Sequence, residues 1–487
     1  MRTAKLTGKL VMAVVFVPIG AAGCLKPSCP NDKLLKYDPT VGYRFDALST
    51  GECNMDDLFI CLTFSGGGTR AAAFAYGVLQ GLGNTDITAP SDDGKRRNLL
   101  DEVDLISAVS GGSFTAMGYA LWGDRLFDGK FEKRFLKNNV QWDLFLNLFK
   151  PKNCLRVSSV LLDRTDVAAF YYDEEIFEES TYKTLLEAGR RPFVAINATD
   201  LSRRQRFTFT QDDFDLLGSD MTELPVGWAV AASSAFPVLL SPLRLKYYPG
   251  KAMADAVQDV LTAPEDRRIA RQYRWAESLR PAEDDITVHP FDIDAERHKY
   301  LYLLDGGLAD NLGLTYVIES YRHGAIHRRM AAGKIKKFVV IVVDAGTDPP
   351  EDLESKVSAP GLLKVFERTG TTSMYRHSDT LTGIAKYSFL EERARTQQAY
   401  EECRETLGKT CPDAAVPPMP GEAAVETYVI DLNFRQVEDS KKRLVFLSLI
   451  TSLFLPPHDV KELIDAGKDL LVEHPEFERL MDDLRGD

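Results

Sequence analysis

The sequence lacks a run of basic residues of the kind that binds nucleic acid. Its 59 lysines and arginines are outnumbered by 72 aspartates and glutamates, which gives a formal net charge of −13. A basic patch or stripe is the electrostatic footprint of nucleic-acid binding, so we expect no nucleic-acid partner. The same acidic balance gives no charge attraction to an anionic lipid surface, so membrane attachment has to be covalent or apolar.

The sequence also lacks metal-site spacings and long apolar runs. Its seven histidines are scattered, no Cys/His spacing is typical of a zinc site, and no calcium motif is present. We therefore expect no metal and no cofactor. The apolar stretch 444–455 is too short to span a bilayer, which takes about 20 residues.

The first 23 residues have the pattern of a signal peptide. Arg2, Lys5 and Lys9 precede an apolar run at 10–22, and Ala-Ala-Gly then leads to Cys24. The run is too short for a membrane span but typical of a signal-peptide core. Small residues directly before a cysteine resemble the bacterial lipobox, in which that cysteine is diacylated. We expect an exported chain anchored through Cys24 to a bacterial membrane, at the outer membrane or periplasmic face; the alternative is an ordinary cleaved signal.

Six further cysteines permit disulfides in an exported chain. They stand at positions 29, 53, 61, 154, 403 and 411. Cys403 and Cys411 are close enough in sequence to close a small loop, and Cys29 with Cys53 would pin the N-terminal arm. Cys61 falls inside a predicted core strand, which favours a buried free thiol.

Short apolar runs alternate with helical stretches from residue 58 to about 344, which predicts an α/β fold with a mainly parallel sheet. Each run is almost continuously apolar, as a strand covered on both faces should be. The five predicted strands are Leu58–Phe64, Val103–Val109, Phe193–Ala198, Tyr300–Leu304 and Phe338–Val343.

The predicted organisation is an extended arm at 24–57, a core domain at 58–345 and a helical C-terminal region at 346–487. Segments 138–190 and 246–299 interrupt the core, and we interpret both as insertions over the top of the sheet. One of them would form a lid, or both are structural surface helices. The amphipathic pattern after residue 456 predicts a pair of helices that pack on the domain.

Three motifs carry chemistry, and the first is a glycine loop. Residues 64–70 read Phe-Ser-Gly-Gly-Gly-Thr-Arg, between a predicted strand and an alanine-rich helix. Consecutive glycines aim backbone N–H groups at one point, and the helix start adds a positive dipole end. Gly66, Gly67 and Gly68 would thus bind a phosphate or a developing oxyanion, or form only a tight turn. The endings of known phosphate loops are absent.

The second motif surrounds Ser110. Residues 106–113 read Ile-Ser-Ala-Val-Ser-Gly-Gly-Ser, again at a strand-to-helix junction. A nucleophile elbow needs small residues two before and two after its serine, and Ala108 and Gly112 meet this requirement, although the first is usually glycine. The Gly111 N–H would add an oxyanion donor.

The third motif is Asp305 at the end of a predicted strand, followed by two glycines and then by Asp310 and Asn311. Read singly, it favours a turn. A glycine nest, an elbow serine and a strand-end carboxylate together form the parts of an acyl-transfer site, namely oxyanion hole, nucleophile and base.

The order of the motifs, Gly-Gly-Gly-x-Arg, then Ser-Gly-Gly-Ser, then Asp-Gly-Gly, resembles the patatin-like phospholipases. Residues 193–200 and 232–237 are similar to further segments of that family. The resemblance covers about 58–345 and implies a patatin-like three-layer α/β fold with a helical C-terminal extension.

The resemblance also implies an activity, which is hydrolysis of membrane lipid esters by a Ser-Asp dyad without histidine. Ser110 would attack the ester carbonyl and form an acyl-enzyme, and Asp305 would accept the serine proton. The glycines would hold the oxyanion, while Arg70 would orient the loop or meet a phosphate head group. Such a carboxylate needs a shielded setting that raises its pKa.

Two alternatives remain open from sequence. The first is a Ser-His-Asp esterase of the α/β-hydrolase type, in which His323 or His327 would follow Asp305. The second is a non-catalytic lipid-binding lipoprotein that keeps the fold. Positional preference, head group and acyl length are not encoded in these motifs.

Overall fold

The computed structural model describes residues 29–49, 54–55, 57–87, 97–148, 164–237, 239–280, 293–348 and, apart from 375, 412–414, 417–418, 420 and 422, residues 374–486. The predicted signal peptide, Cys24 and the Cys29–Cys53 pairing lie outside these residues or depend on residues outside them. Within the described part, no helix combines the length and apolarity needed to cross a membrane.

Eight strands form one central sheet. They are β1 Leu58–Phe64, β2 Val103–Val109, β3 Phe193–Asp200, β4 Gln205–Phe209, β5 Leu243–Lys246, β6 Tyr300–Asp305, β7 Lys337–Asp344 and β8 Glu426–Asn433. The sheet order is β8-β7-β1-β2-β3-β6-β5, with β4 also paired to β3. The strands β8, β7, β1, β2 and β3 run parallel, whereas β4, β5 and β6 pair antiparallel with their neighbours.

Helices lie on both faces of this sheet, and their chain order follows the predicted alternation. They are α1 Thr69–Gly83, α2 Gly111–Trp122, α3 Val140–Leu148, α4 Arg164–Tyr171, α5 Tyr182–Ala188, α6 Gln211–Asp215, α7 Val226–Ser233, α8 Lys251–Thr262, α9 Ala270–Ser278, α10 Leu314–His323, α11 Ala325–Ala331, α12 Glu392–Thr410, α13 Ser440–Ser448, α14 Pro457–Val472 and α15 Pro475–Arg485.

All five predicted strands are present, and the central ones are buried throughout as their apolar sequences require. Every residue of β1 and β2 is buried, because helices cover both faces of the sheet. The fold is the predicted α/β three-layer arrangement with a mostly parallel sheet.

The C-terminal region contributes more than the predicted helices. Its strand β8 pairs in parallel with β7 from Glu426 to Asn433 and extends the central sheet. The helix α14 packs along α1, with Gly467 against the Phe74 carbonyl and Leu471 against Gly81. The prediction of a helical extension therefore missed a strand, because the Tyr-Val-Ile run of β8 lies in an otherwise charged and helical stretch.

The register of β6 decides where its C-terminal end lies. Asp305 pairs with Ala198 of β3, while Val109 of β2 pairs with Asn197 of the same strand. The end of β6 is therefore level with the residue that follows β2, although β6 runs in the opposite direction.

The described cysteines Cys29, Cys61, Cys403 and Cys411 are all free thiols. The expected loop closed by Cys403 and Cys411 is wrong, because Cys403 lies within α12 and Cys411 caps its end. Eight residues of helix separate the two by about 12 Å, well beyond the Cα separation that a disulfide tolerates. Cys61 is fully buried, as expected for a core thiol.

Candidate active site

Ser110 occupies the sharp turn between β2 and α2 with φ 48° and ψ −119°. A positive φ is strained for a residue with a side chain and is the conformation of a nucleophile elbow. The turn is fixed from behind, since the Ser110 N–H donates to Ser233 Oγ at 2.8 Å and the Ser233 hydroxyl donates to the Asn197 carbonyl at 2.6 Å. The strained serine is therefore held by neighbouring elements of the core.

Asp305 lies beside this serine. The Ser110 hydroxyl donates to Asp305 Oδ2 at 2.9 Å, and the Gly307 N–H donates to Asp305 Oδ1 at 2.8 Å. The carboxylate is 4% exposed and Ser110 is 7% exposed. Burial raises the pKa of Asp305 to about 6, although the hydrogen bonds from Gly307 and Ser110 lower it. The shielded carboxylate that the resemblance requires is therefore present.

The glycine loop brings backbone N–H groups to the same place. The Gly66 N–H donates to the Asn311 carbonyl at 3.0 Å, so Gly66 is not a free oxyanion donor as expected from sequence. Gly67 and Gly68 have φ angles of 144° and 62°. Among the described residues, neither N–H of these two glycines donates to another group. Gly111 lies directly against the backbone of Gly68, where a Cβ would come within 2.1 Å of the Gly68 carbonyl oxygen.

Arg70 is 2% exposed and points away from solvent. Its Nε donates to the Ala345 carbonyl at 2.9 Å, and its Nη1 donates to the Leu449 carbonyl. The guanidinium therefore ties the start of α1 to the end of β7 and to the C-terminal region. Of the two expected roles, this geometry supports orientation of the loop and not contact with a head group.

The C-terminal region also contacts the glycine loop through its backbone. The Thr69 N–H donates to the Ser452 carbonyl at 2.8 Å. A Cβ on Gly68 would lie 2.2 Å from the same oxygen, so the segment leaves no room for a side chain there. Sequence reasoning missed this contact, since nothing in the apolar stretch around Ser452 points to the distant loop.

Ser233 and Asn197 were also missed as supports of Ser110. Asn197 lies in a predicted core strand and Ser233 in a segment similar to the family, and the spacing of the two carries no signal of this role. Asp310 accepts the N–H groups of Leu312 and Thr315 at 3.1 and 2.7 Å and so fixes the turn before α10.

The two histidines of the Ser-His-Asp alternative lie near the beginning of the parallel strands, at the opposite end of the sheet from Ser110. Helix α10 starts beside β2, where the Ser107 hydroxyl donates to the Gly313 carbonyl, and then runs towards the beginning of the strands. There its Tyr316 ring packs 6.4 Å from that of Phe193 at the start of β3. His323 ends this helix, and its Nδ1 lies 3.2 Å from the Asp266 carbonyl. A strand of this length spans about 20 Å, so His323 and the following α11 are remote from Ser110.

A cavity of about 630 Å³ lies near the beginning of the parallel strands, between the N-terminal arm, α8 and the end of α10. Several of its charged groups are paired with each other, as in the contacts of Arg44 with Asp215 and of Arg271 with Asp213. It contains neither Ser110 nor Asp305. The pair Ser110 and Asp305 therefore lies outside this cavity.

The fold and the assembled groups define an α/β protein with the parts of an acyl-transfer site. The family model of the patatin-like phospholipases matches residues 62–318, more than half of the chain. The chain belongs to this family, and membership supports hydrolysis of lipid acyl esters.

Solved structures give a distant likeness. Human GIVD cytosolic phospholipase A2 is 13% identical, with a TM-score of 0.43; the match covers 88% of this chain and 60% of that one. VipD from Legionella pneumophila is 11% identical, with a TM-score of 0.30 and coverage of 93% and 70%. The chain thus spans about 60% of the human enzyme's length. No curated protein matches the chain in sequence.

Proposed function

We propose that the chain is a lipid acyl hydrolase that cleaves carboxylic esters through a Ser110–Asp305 dyad and an acyl-enzyme. The observation that carries this proposal is the 2.9 Å hydrogen bond from Ser110 Oγ to Asp305 Oδ2 in a buried setting. A carboxylate whose pKa is raised towards 6 is a stronger base than an exposed aspartate, yet it is ionised at neutral pH.

In the first half-reaction, Ser110 Oγ bonds to the ester carbonyl carbon while its proton passes to Asp305 Oδ2. Collapse of the tetrahedral intermediate breaks the ester bond, and the leaving alcohol takes the proton from Asp305. A water molecule then loses a proton to Asp305 as its oxygen attacks the acyl-enzyme. The proton returns to Ser110 Oγ when the free fatty acid leaves.

The negative charge on the intermediate needs preorganised donors. The N–H groups of Gly67 and Gly68 fit this role, since the Gly66 N–H is already bonded to Asn311. The N–H of Gly111 follows the nucleophile and stands at the start of α2, where the helix dipole is positive. The Gly66 N–H instead holds the glycine loop against the Asn311 carbonyl.

The proposal is tested by covalent labelling of Ser110 with a fluorophosphonate probe, followed by hydrolysis assays on phospholipid, lysophospholipid and neutral-lipid esters. Ser110→Ala should lose labelling completely, and Asp305→Asn should label far more slowly. Absence of labelling in well-folded wild-type protein would favour a non-catalytic lipid-binding lipoprotein. Activity lost in His323→Ala and His327→Ala but kept in Asp305→Asn would favour the Ser-His-Asp esterase.

We further propose that hydrolysis needs no metal ion or cofactor. The dyad supplies the nucleophile and the base from side chains alone, and backbone N–H groups supply the charge stabilisation. EDTA should therefore leave the rate on a soluble ester unchanged. Loss of activity in EDTA with recovery on adding calcium would refute this part of the proposal.

We also propose that the chain is exported and tethered to a bacterial membrane by acyl chains on Cys24. Support comes from the basic start, the apolar run and the small residues before that cysteine. Two or more acyl chains anchor a protein stably, whereas a single chain does not. Metabolic labelling with a fatty-acid analogue in a bacterial host should mark the wild-type chain and leave Cys24→Ser unlabelled.

A further inference from the structure

Asn311 is a buried polar residue beside the dyad, and its side chain is unpaired. It is 4% exposed and follows the short helical turn Gly307–Asp310. Its backbone carbonyl accepts the Gly66 N–H, whereas its side-chain carboxamide has no hydrogen-bond partner among the residues that the structure describes. Buried carboxamides are normally hydrogen-bonded, so this one indicates a partner that arrives with the reaction, namely substrate or water.

The carboxamide oxygen lies between the glycine loop and the turn that follows Asp305. Asn311 Oδ1 is 2.6 Å from the position that a Cβ would occupy on Gly66, and 2.9 Å from the corresponding position on Gly307. These two positions are in turn 3.3 Å from Ser110 Cβ and 3.0 Å from Asp305 Oδ1. The carboxamide oxygen therefore borders both residues of the dyad, on the side of the two glycines.

An oxygen that only accepts hydrogen bonds has few partners in ester hydrolysis. The oxyanion and the ester oxygens are themselves acceptors, so Asn311 Oδ1 would repel them. Water has two O–H groups, and Asp305 takes the proton from only one of them when the acyl-enzyme is hydrolysed. The second O–H needs an acceptor close to the same carboxylate, and Asn311 Oδ1 lies there.

We propose that Asn311 is a catalytic residue of deacylation, whose Oδ1 accepts a hydrogen bond from the water that hydrolyses the acyl-enzyme. The proposal rests on the function proposed above and adds a residue to its second half-reaction. In the acyl-enzyme, Ser110 Oγ carries the acyl group and no longer donates to Asp305 Oδ2. That carboxylate oxygen is then free to accept from one O–H of the water, while Asn311 Oδ1 holds the other.

The step balances without a further reactant. The water oxygen bonds to the acyl carbon as its first proton passes to Asp305 Oδ2. The bond from the acyl carbon to Ser110 Oγ then breaks, and this oxygen takes the proton from Asp305. The second water proton stays on its oxygen and leaves with the fatty acid. Asn311 thus orients the attacking water and is not itself protonated.

The test compares two acceptors of the same acyl group. Methanol has a single O–H, which Asp305 deprotonates, so its attack does not need Asn311 Oδ1. Wild type and Asn311→Ala are given a p-nitrophenyl ester in aqueous methanol, and the yields of methyl ester and free acid are measured. Asn311→Ala should raise the ratio of methyl ester to acid about five- to tenfold, because only the reaction with water loses a hydrogen bond.

The alanine variant should keep the loop and the acylation step. Asn311 has φ −71° and ψ −20°, which alanine adopts readily, and the carbonyl at this position still accepts the Gly66 N–H. Fluorophosphonate labelling reports only the attack by Ser110, so its rate should stay close to that of wild type. In water alone, the variant should release p-nitrophenol in a larger burst and then more slowly than wild type, because acyl-enzyme accumulates.

Asp310→Ala is the matched control for a change that acts through the backbone alone. Asp310 is fully buried and accepts the N–H groups of Leu312 and Thr315, so its loss displaces the same turn. This variant should slow labelling and hydrolysis together and leave the ratio of methyl ester to acid as in wild type. Asp310→Asn keeps one acceptor oxygen and replaces the alanine variant where urea unfolding shows that the latter is not folded.

The outcomes separate the role of Asn311 from the hydrolase itself. An unchanged product ratio in folded, normally labelled Asn311→Ala would overturn that role and leave the dyad in place. An unchanged ratio with slower labelling would overturn it too, because Asn311 would then act only on the shape of the loop. Wild-type protein that is neither labelled nor active would refute the proposed hydrolase, and the role of Asn311 with it.

Discussion

Asp305 pairs with Ala198 one residue beyond the pair formed by Val109 and Asn197, and this register brings its carboxylate to 2.9 Å from Ser110 Oγ. Ser110 and Asp305 are 195 positions apart in the chain. The distance between them depends on β3, because β3 pairs both with β2, which ends just before Ser110, and with β6, which ends at Asp305. The dyad is thus held by sheet hydrogen bonds on each side, and its behaviour follows from the buried setting of the carboxylate.

The first prediction concerns the pH dependence of catalysis. Asp305 accepts a proton only when it is ionised, and burial raises its pKa to about 6. The kcat/KM for a soluble ester should therefore fall about tenfold for each pH unit below 6 and level off above 7. An ordinary exposed aspartate would keep almost full activity down to about pH 5. A pH–rate profile that stays flat to about pH 5 would contradict the assignment of Asp305 as the buried base.

The second prediction concerns stability. The pKa of Asp305 is about 6 in the folded protein and about 4 in the unfolded chain, so the ionised carboxylate destabilises the fold at pH values above 6. The cost is on the order of 3 kcal/mol and disappears as the pH falls from 6 to 4. Asp305→Asn should thus unfold at higher urea than wild type at pH 8, but not at pH 4.

Ser110→Ala is the control for this stability measurement. It also removes activity, but it leaves the carboxylate buried and takes away one of its hydrogen bonds. It should therefore show no gain in stability at pH 8. Equal urea midpoints for wild type and Asp305→Asn at pH 8 would mean that burial costs the carboxylate little.

The third prediction concerns Gly68. Its φ of 62° disfavours a side chain, and the Ser452 carbonyl, 2.2 Å from the position of a Cβ, excludes one. Gly68→Ala should displace the oxyanion loop and slow fluorophosphonate labelling about 100-fold or more. Gly333→Ala is a close control, because Gly333 has a φ of 67° and nothing within 4 Å of a Cβ. It should cost about 1 kcal/mol of stability and leave labelling unchanged. Similar labelling rates in both variants would argue against a tight contact with Ser452.

The fourth prediction separates the two roles considered for Arg70. Lysine keeps the charge but cannot reach the Ala345 and Leu449 carbonyls together, because it lacks the planar fork of donors. Arg70→Lys should destabilise the protein by about 2 kcal/mol and lower kcat by similar factors on a phospholipid and on an uncharged ester. A loss confined to the phospholipid would instead assign Arg70 to a phosphate head group.

The candidate site residues could be predicted from sequence because each has a local requirement. Consecutive glycines, a serine between small residues and an aspartate before two glycines are short patterns whose backbone geometry is set by immediate neighbours. Arg70 also follows from such a pattern, but its function does not. Its partners Ala345 and Leu449 are more than 270 residues away in the chain, so only the fold identifies them.

Asp305 ends a strand, as its sequence pattern predicts. The sequence predicted that this strand belongs to a mainly parallel sheet, whereas β6 runs antiparallel to β3. An apolar strand has the same appearance in either direction, because burial of both faces selects the side chains and strand pairing selects the direction. Asp305 lies level with Ser110 because of the register of the strands, and that register is set by long-range hydrogen bonds.

The sequence by itself determined the strands of the core, the nucleophile elbow, the glycine loop and the membership of a family, since periodicity and short-range backbone constraints encode all of these. Only the tertiary structure decided that the Gly66 N–H is hydrogen-bonded to the Asn311 carbonyl. It also decided that Ser233 and Asn197 hold the elbow. The pairing of β8 with the sheet and the contact of Ser452 with the glycine loop likewise come only from the fold. These contacts are made by ordinary polar groups and backbone atoms. Such groups acquire a role from what folding brings beside them, and no local pattern marks them in advance.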